Sequence, residues 1–385
     1  MNTEHVPFFK RILLHGEIIG ASDIHISVGN AVSYRNKNGE ILKAEDMFGK
    51  KLDKTAVKAI YDYILENMLS GPNEKAYIEK KIRTEKDSGF SFIFNETKTK
   101  YRVNVGTYKE GYYIVLRSNK VNPPRLNDLG LSENSYSFLK SIVSNKESGL
   151  FLVVGATGSG KSTTLAAMIE EVNTNFKKNI ITLEDPIEYE YEPKKAHVVQ
   201  KELGRDIVSF DKGLRSALRE DPDIILVGEI RDFDTLNLAL TAAETGHMVF
   251  STLHTKSALS TINRIIAMAN NNPDFIRNRL GETLVGIMAQ KLIPSKNGGR
   301  VLLWEILSGE KKILENIKNN NINEVKALMD NTSNCQSFDK TLLYLFTEDK
   351  IDRNTLEKYA LENNYNELSS EIKQLLDLRN EVNSI

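Results

Sequence analysis

The run Gly155-Ala156-Thr157-Gly158-Ser159-Gly160-Lys161-Ser162 lies between an apolar stretch, Gly149–Val154, and an Ala/Leu/Met/Glu-rich stretch that starts near Thr163. That order predicts strand, phosphate loop, helix. Small residues let backbone N–H groups converge on an anion, a lysine adds charge near the β- and γ-phosphates, and the next hydroxyl reaches Mg²⁺. The expected nucleotide-binding set is Gly155, Ala156, Thr157, Gly158, Ser159, Gly160, Lys161, Ser162 and Thr163, with Ser162 toward the metal. ATP and Mg²⁺ are the implied ligands.

A chain of 385 residues can form two or three domains, each with its own core. Lys and Arg total 51 against 52 Asp and Glu, so no global basic surface favours nucleic acid. The chain shows no signal peptide and no apolar stretch of the ~18 residues that a membrane span needs, which predicts a cytoplasmic protein. Cys335 is the only cysteine, which excludes an internal disulfide and any four-cysteine zinc site.

Residues 1–117 alternate apolar segments with turn signals, as at Phe90–Phe94, Tyr101–Val105 and Tyr112–Arg117, and predict antiparallel strands with one buried face. Val57–Met68 predicts a helix. The polar segment 118–125, containing Pro123-Pro124, predicts an interdomain linker. In residues 126–308, strand candidates Leu150–Val154, Ile180–Leu183, Ile224–Val227 and Met248–Leu253 alternate with helices, the pattern of a parallel α/β sheet. One of those helices starts at Asp232 or Asp234 as N-cap and stops at Gly246. Residues 309–385 turn polar and predict a small helical region, with helical patterns at Leu342–Phe346 and Leu368–Leu378.

Ligands of open parallel sheets bind beyond the carboxyl ends of the strands. Past the second strand candidate comes Glu184-Asp185-Pro186-Ile187-Glu188, where Glu188 can orient or deprotonate a water attacking the γ-phosphate. Past the third comes Glu229, an acid placed to hold Mg²⁺ or its water shell. Arg231 reads as a pairing partner for these acids. Past the fourth comes His254, a candidate phosphate sensor. Asp223 and His247 precede their strands and so belong to the opposite end.

These segments resemble the ATPases of type II secretion and type IV pili, most closely the PilT-like retraction branch. The family's Asp box is matched by Ile181–Glu188, its atypical Walker B by Leu218–Asp232 and its His box by Thr245–Thr255. Ala21-Ser22-Asp23-Ile24-His25 is similar to the N-terminal signature, and Pro124–Leu131 to the linker. The resemblance implies a PAS-like α+β domain (1–117) joined by the linker to a RecA-like ATPase domain (126–308), assembled as a homo-hexamer at the cytoplasmic face of the inner membrane. It further implies Glu188 as catalytic base, Glu229 as Walker B acid, and Arg102 and Arg117 as charge-stabilising fingers. A membrane platform protein and a paired extension ATPase are the implied partners.

Extension and type II secretion ATPases of the family carry a paired-CxxC metal module, which a chain with one cysteine cannot build. That favours retraction. Against it, the family's Ala-Ile-Arg-Asn-Leu retraction motif aligns with Ile313-Leu314-Glu315-Asn316-Ile317, an acid replacing the arginine. The alternatives are a pilus-assembly or type II secretion ATPase, a DNA-handling RecA-like motor, and a subunit that binds ATP without hydrolysing it.

Overall fold

The computed structural model describes residues 5–36, 39–69, 71–119, 122–269, 272–363 and 372–373. The chain divides into two compact units, one comprising residues through Asn122 with Glu188–Glu190, the other Pro123–Ile187 with Tyr191 onward. Among the described residues no helix is long and apolar enough to cross a membrane.

In the first unit, β1 (Asp23–Ser27), β2 (Ser33–Arg35), β3 (Ile41–Lys43), β4 (Asp87–Phe94), β5 (Thr99–Tyr108) and β6 (Gly111–Asn119) form one antiparallel sheet in the order β3-β2-β1-β6-β5-β4. Alternation decides its faces. Ser88, Phe90, Phe92 and Phe94 of β4 are buried while Asp87 and Gly89 are exposed. Helices His5–Ile18, Lys54–Asn67 and Pro72–Glu85 supply the other half of this core, including Phe9, Ile12, Ile60, Ile64 and Ile78. The expected helix Val57–Met68 starts three residues earlier, at Lys54, because Asp53 caps it by accepting from Ala56 N–H at 2.7 Å. β6 runs through Asn119, two residues into the expected linker, because β5 pairs with Ser118 and Asn119 despite their polarity.

In the second unit, β7 (Gly149–Val154), β8 (Asn179–Glu184), β9 (His197–Glu202), β10 (Ile224–Val227), β11 (Met248–Leu253), β12 (Leu284–Pro294) and β13 (Arg300–Ser308) form a sheet ordered β13-β12-β7-β11-β10-β8-β9. Only the β12–β13 pair is antiparallel. β7, β10 and β11 are buried at every position, as strands covered on both faces must be. The four strands expected from sequence are all present, and β9, β12 and β13 are added to them.

Register aligns the carboxyl ends. Val154 pairs with Leu253, and Val227 pairs with both Ser251 and Leu183. The residues that follow β7, β8, β10 and β11 therefore emerge along one edge. Asp232 caps the helix Phe233–Glu244, accepting from Thr235 N–H at 2.8 Å, and Gly246 beyond its end has φ +99°.

Helices Lys311–Lys318, Ile322–Asn331, Phe338–Thr347 and Arg353–Asn363 close no core of their own. Ile313, Ile317, Val325, Leu342, Leu345 and Leu356 join the core that holds β7 and β11. Thr341 Oγ1 donates to the carbonyl of buried Trp304 on β13 at 2.7 Å, which fixes the third of these helices to the sheet. The segment Leu368–Leu378 lies outside the described residues, Ile372 and Lys373 excepted.

Candidate active site

The phosphate loop hangs between its sheet neighbours. Gly155 N–H donates to Leu253 O at 3.3 Å, and the helix Lys161–Asn175 begins seven residues after β7 ends. Gly155 has φ +153°, and a Cβ there would lie 2.4 Å from Gln290 O and 2.5 Å from Ser159 Oγ. No other residue type fits. Gly160, at φ +91°, turns the chain into the helix.

Lys161 is 9% exposed and folds back over the loop, Nζ donating to Gly155 O at 3.0 Å and Ala156 O at 3.2 Å. Ser159 Oγ is buried without a hydrogen-bond partner, whereas Ala156, Thr157, Gly158 and Ser162 are exposed; Thr163 is half-buried. A glycine cradle, an ammonium held above it and an unpaired hydroxyl beneath fit a phosphate chain.

Across the same edge, four polar side chains pair in series. Arg231 reaches Asp185 after β8 at 3.1 Å and also pairs with Glu229 after β10. His254 Nε2, after β11, lies 3.2 Å from Glu229 Oε2. The structure thus brings Glu229 and His254 together, with Arg231 as the pairing residue expected. Glu229 is held from both sides, at 17% side-chain exposure, while His254 is half exposed. Among the described residues no cluster of three His, Cys, Asp or Glu side chains forms a metal cage. A Mg²⁺ here would take the Ser162 hydroxyl and the Glu229 carboxylate with phosphate oxygens and water, its usual kind of ligand set.

Glu188 takes no part in that series. It follows the cis Asp185–Pro186 bond, half-buried, one residue after Ile187. β9 grips this turn. Ile187 N–H donates to Glu202 Oε2 at 3.0 Å, Gln200 Nε2 donates to Glu184 Oε1 at 3.1 Å, and Tyr191 N–H donates to Gln200 Oε1 at 3.2 Å. Sequence reasoning passed over Gln200 and Glu202; the polar run Gln200-Lys201-Glu202 after Val198-Val199 carries no strand alternation to single them out.

Asp223 and His247 sit at the far end of the sheet. Asp223 accepts from Lys178 Nζ and Asn179 N–H, both at 2.8 Å, and His247 Nδ1 lies 3.0 Å from Ala242 O at the end of its helix. Both are tied into the end of the sheet opposite the phosphate loop. In the first unit, exposed Arg102 pairs in register with Arg117 across β5 and β6. Arg117 Nε donates to Oδ1 of buried Asp23 at 2.7 Å, and Arg35 stands 4.0 Å from the same carboxylate.

A family model described as type II/IV secretion system protein matches residues 19–374. The chain belongs to that family. The type IV pilus retraction ATPase PilT of Pseudomonas aeruginosa is 37% identical over 350 residues, 90% of this chain and 96% of that protein. The crystal structure of the pilus retraction motor PilT with bound ADP superposes with a TM-score of 0.80 at 36% identity, covering 90% of this chain and 95% of that one. Type II secretion system protein E of Pectobacterium carotovorum is 42% identical over 196 residues, only 37% of its own length and 50% of this chain.

In this secretion ATPase the aligned retraction-motif stretch lies on the helix Lys311–Lys318. Ile313 and Ile317 are buried, Glu315 is exposed, and Asn316 Oδ1 accepts from Asn321 Nδ2 at 3.2 Å. The acid that replaces the family's arginine therefore points away from the core.

Proposed function

We propose that this secretion-family ATPase hydrolyses ATP to power type IV pilus retraction, working as a homo-hexamer at the cytoplasmic face of the inner membrane with a membrane platform protein as its partner. What carries the reading is similarity to a retraction ATPase across nearly the whole of both chains, with the phosphate loop and the Glu229–His254 pair at one sheet edge. The protein E relative of Pectobacterium carotovorum supports secretion or assembly less, since the match spans 37% of its length.

Chemically, Lys161 and the N–H groups of Gly155–Ser162 bind the phosphates and offset their charge. Ser162 and Glu229 would hold Mg²⁺, which would supply neutralisation of the charge on the phosphate oxygens. Glu188 takes the proton of the attacking water. His254, through its contact with Glu229, reports the state of the γ-phosphate. Arg102 and Arg117 act as fingers on the transferring phosphoryl group, and Asp23 orients Arg117 until they engage. Closure on ATP and release after hydrolysis then drive rigid-body motion around the ring.

Two substitutions test the chemistry. Lys161→Ala removes nucleotide binding, whereas Glu188→Gln keeps ADP affinity and loses turnover; full turnover in Glu188→Gln overturns the base assignment. Deleting the gene tests the direction of force: excess surface pili support retraction, and bald cells support assembly.

A further inference from the structure

β12 reads Leu-Val-Gly-Ile-Met-Ala-Gln-Lys-Leu-Ile-Pro, and its Gln290 is 1% exposed. A fully buried amide in an apolar strand is costly unless each polar atom finds a partner. Gln290 finds both on the phosphate loop and the helix that follows it. Its Nε2 donates to Ser159 O at 2.8 Å, and its Oε1 accepts from Thr164 Oγ1 at 3.0 Å. The backbone of the same residue lies against Gly155, whose absent Cβ would meet Gln290 O at 2.4 Å, and a Cβ on Gly160 would lie 3.2 Å from Nε2.

One residue therefore touches the start of the loop, its last turn and the first turn of the helix. In a trans peptide C=O and N–H point in opposite directions, so holding the Ser159 carbonyl toward β12 holds the Gly160 N–H away from it. We propose that Gln290 is a positioning residue for nucleotide binding, a clamp that sets the phosphate loop against its helix before the ligand arrives. This rests on reading Gly155–Ser162 as the phosphate site. No group on Gln290 itself needs to reach the nucleotide. The clamp acts by sparing the loop the ordering that binding would otherwise require.

The test uses the full chain and three variants. Gln290→Met keeps length and apolar volume but removes both hydrogen bonds; Thr164→Val removes only the helix side; Lys161→Ala controls for the site itself. ADP affinity is measured by calorimetry, ATP KM and kcat by steady-state turnover, and melting temperature without nucleotide. Gln290→Met is expected to weaken ADP binding by about tenfold and raise KM more than it lowers kcat, and Thr164→Val to weaken binding by about threefold. A residue that merely filled the core would lower the melting temperature and leave affinity alone. Wild-type affinity in Gln290→Met overturns the clamp; if that variant does not fold, wild-type affinity in Thr164→Val overturns it. Wild-type affinity in Lys161→Ala instead overturns the phosphate site on which the clamp depends.

Discussion

Replacing Glu202 by alanine tests whether β9 positions the proposed base. Glu202 is 9% exposed and Ile187 is 5% exposed, so the Ile187 N–H that loses its 3.0 Å acceptor has no easy access to water. Leaving a buried donor unsatisfied costs ~1–3 kcal/mol. At about 1.4 kcal/mol per factor of ten, the turn's native conformation loses roughly five- to 150-fold of its preference. The damage stays local. Leu203 N–H still donates to Glu184 O at 2.8 Å and Gln200 still holds Glu184 and Tyr191, so both ends of the loop keep their anchors.

Glu188, one residue past the lost bond, is then what moves. A coupled assay at saturating ATP is expected to show kcat down about tenfold, with ADP affinity by calorimetry within about twofold of wild type. Glu202→Gln keeps an acceptor oxygen and should recover most of the rate. Wild-type kcat in Glu202→Ala refutes the positioning argument, as does an equal loss in Glu202→Gln.

Burial pushes the Glu305 carboxyl up to about 7 from its usual 4.5, even though it accepts from Ala258 N–H at 2.7 Å. The folded chain thus holds this proton more tightly than the unfolded chain, so stability falls as pH rises from about 4.5 to about 7, by up to roughly 3 kcal/mol from this group. Glu305→Gln should flatten that part of the melting-temperature profile and raise the value at pH 8; parallel profiles would count against it. Gly155→Ala forces contacts at 2.4 and 2.5 Å, whereas a Cβ on Gly158, at φ +79°, meets nothing within 4 Å. ADP titration should therefore show a loss of more than about tenfold for the first and a smaller one, from ~1–2 kcal/mol of backbone strain, for the second; equal losses would contradict the steric argument.

Strands β7, β8, β10 and β11 were readable because each is a short apolar run bounded by turn or loop residues, and the residues after them were readable because ligands of parallel sheets bind at strand ends. β12 was not, since it follows the helix Pro273–Thr283 with no intervening turn and its apolar pattern suits a buried helix equally well. β9 carries His, Gln, Lys and Glu among its six residues, as an edge strand can, and only pairing with β8 makes it a strand.

Local chemistry follows from local order. Small residues, a lysine and a hydroxyl in sequence make a phosphate loop whichever way the rest of the sheet is arranged, and a strand-turn-helix context places it. The support of that loop and the partner of Glu229 come from elsewhere in the chain. Gln290 reaches Ser159 across 131 positions and His254 reaches Glu229 across 25, because the order β13-β12-β7-β11-β10-β8-β9 makes their strands neighbours. Strand order is set by which hydrophobic faces and hydrogen-bonding edges are satisfied together in the folded chain, a condition on the whole sheet that no short stretch of residues carries.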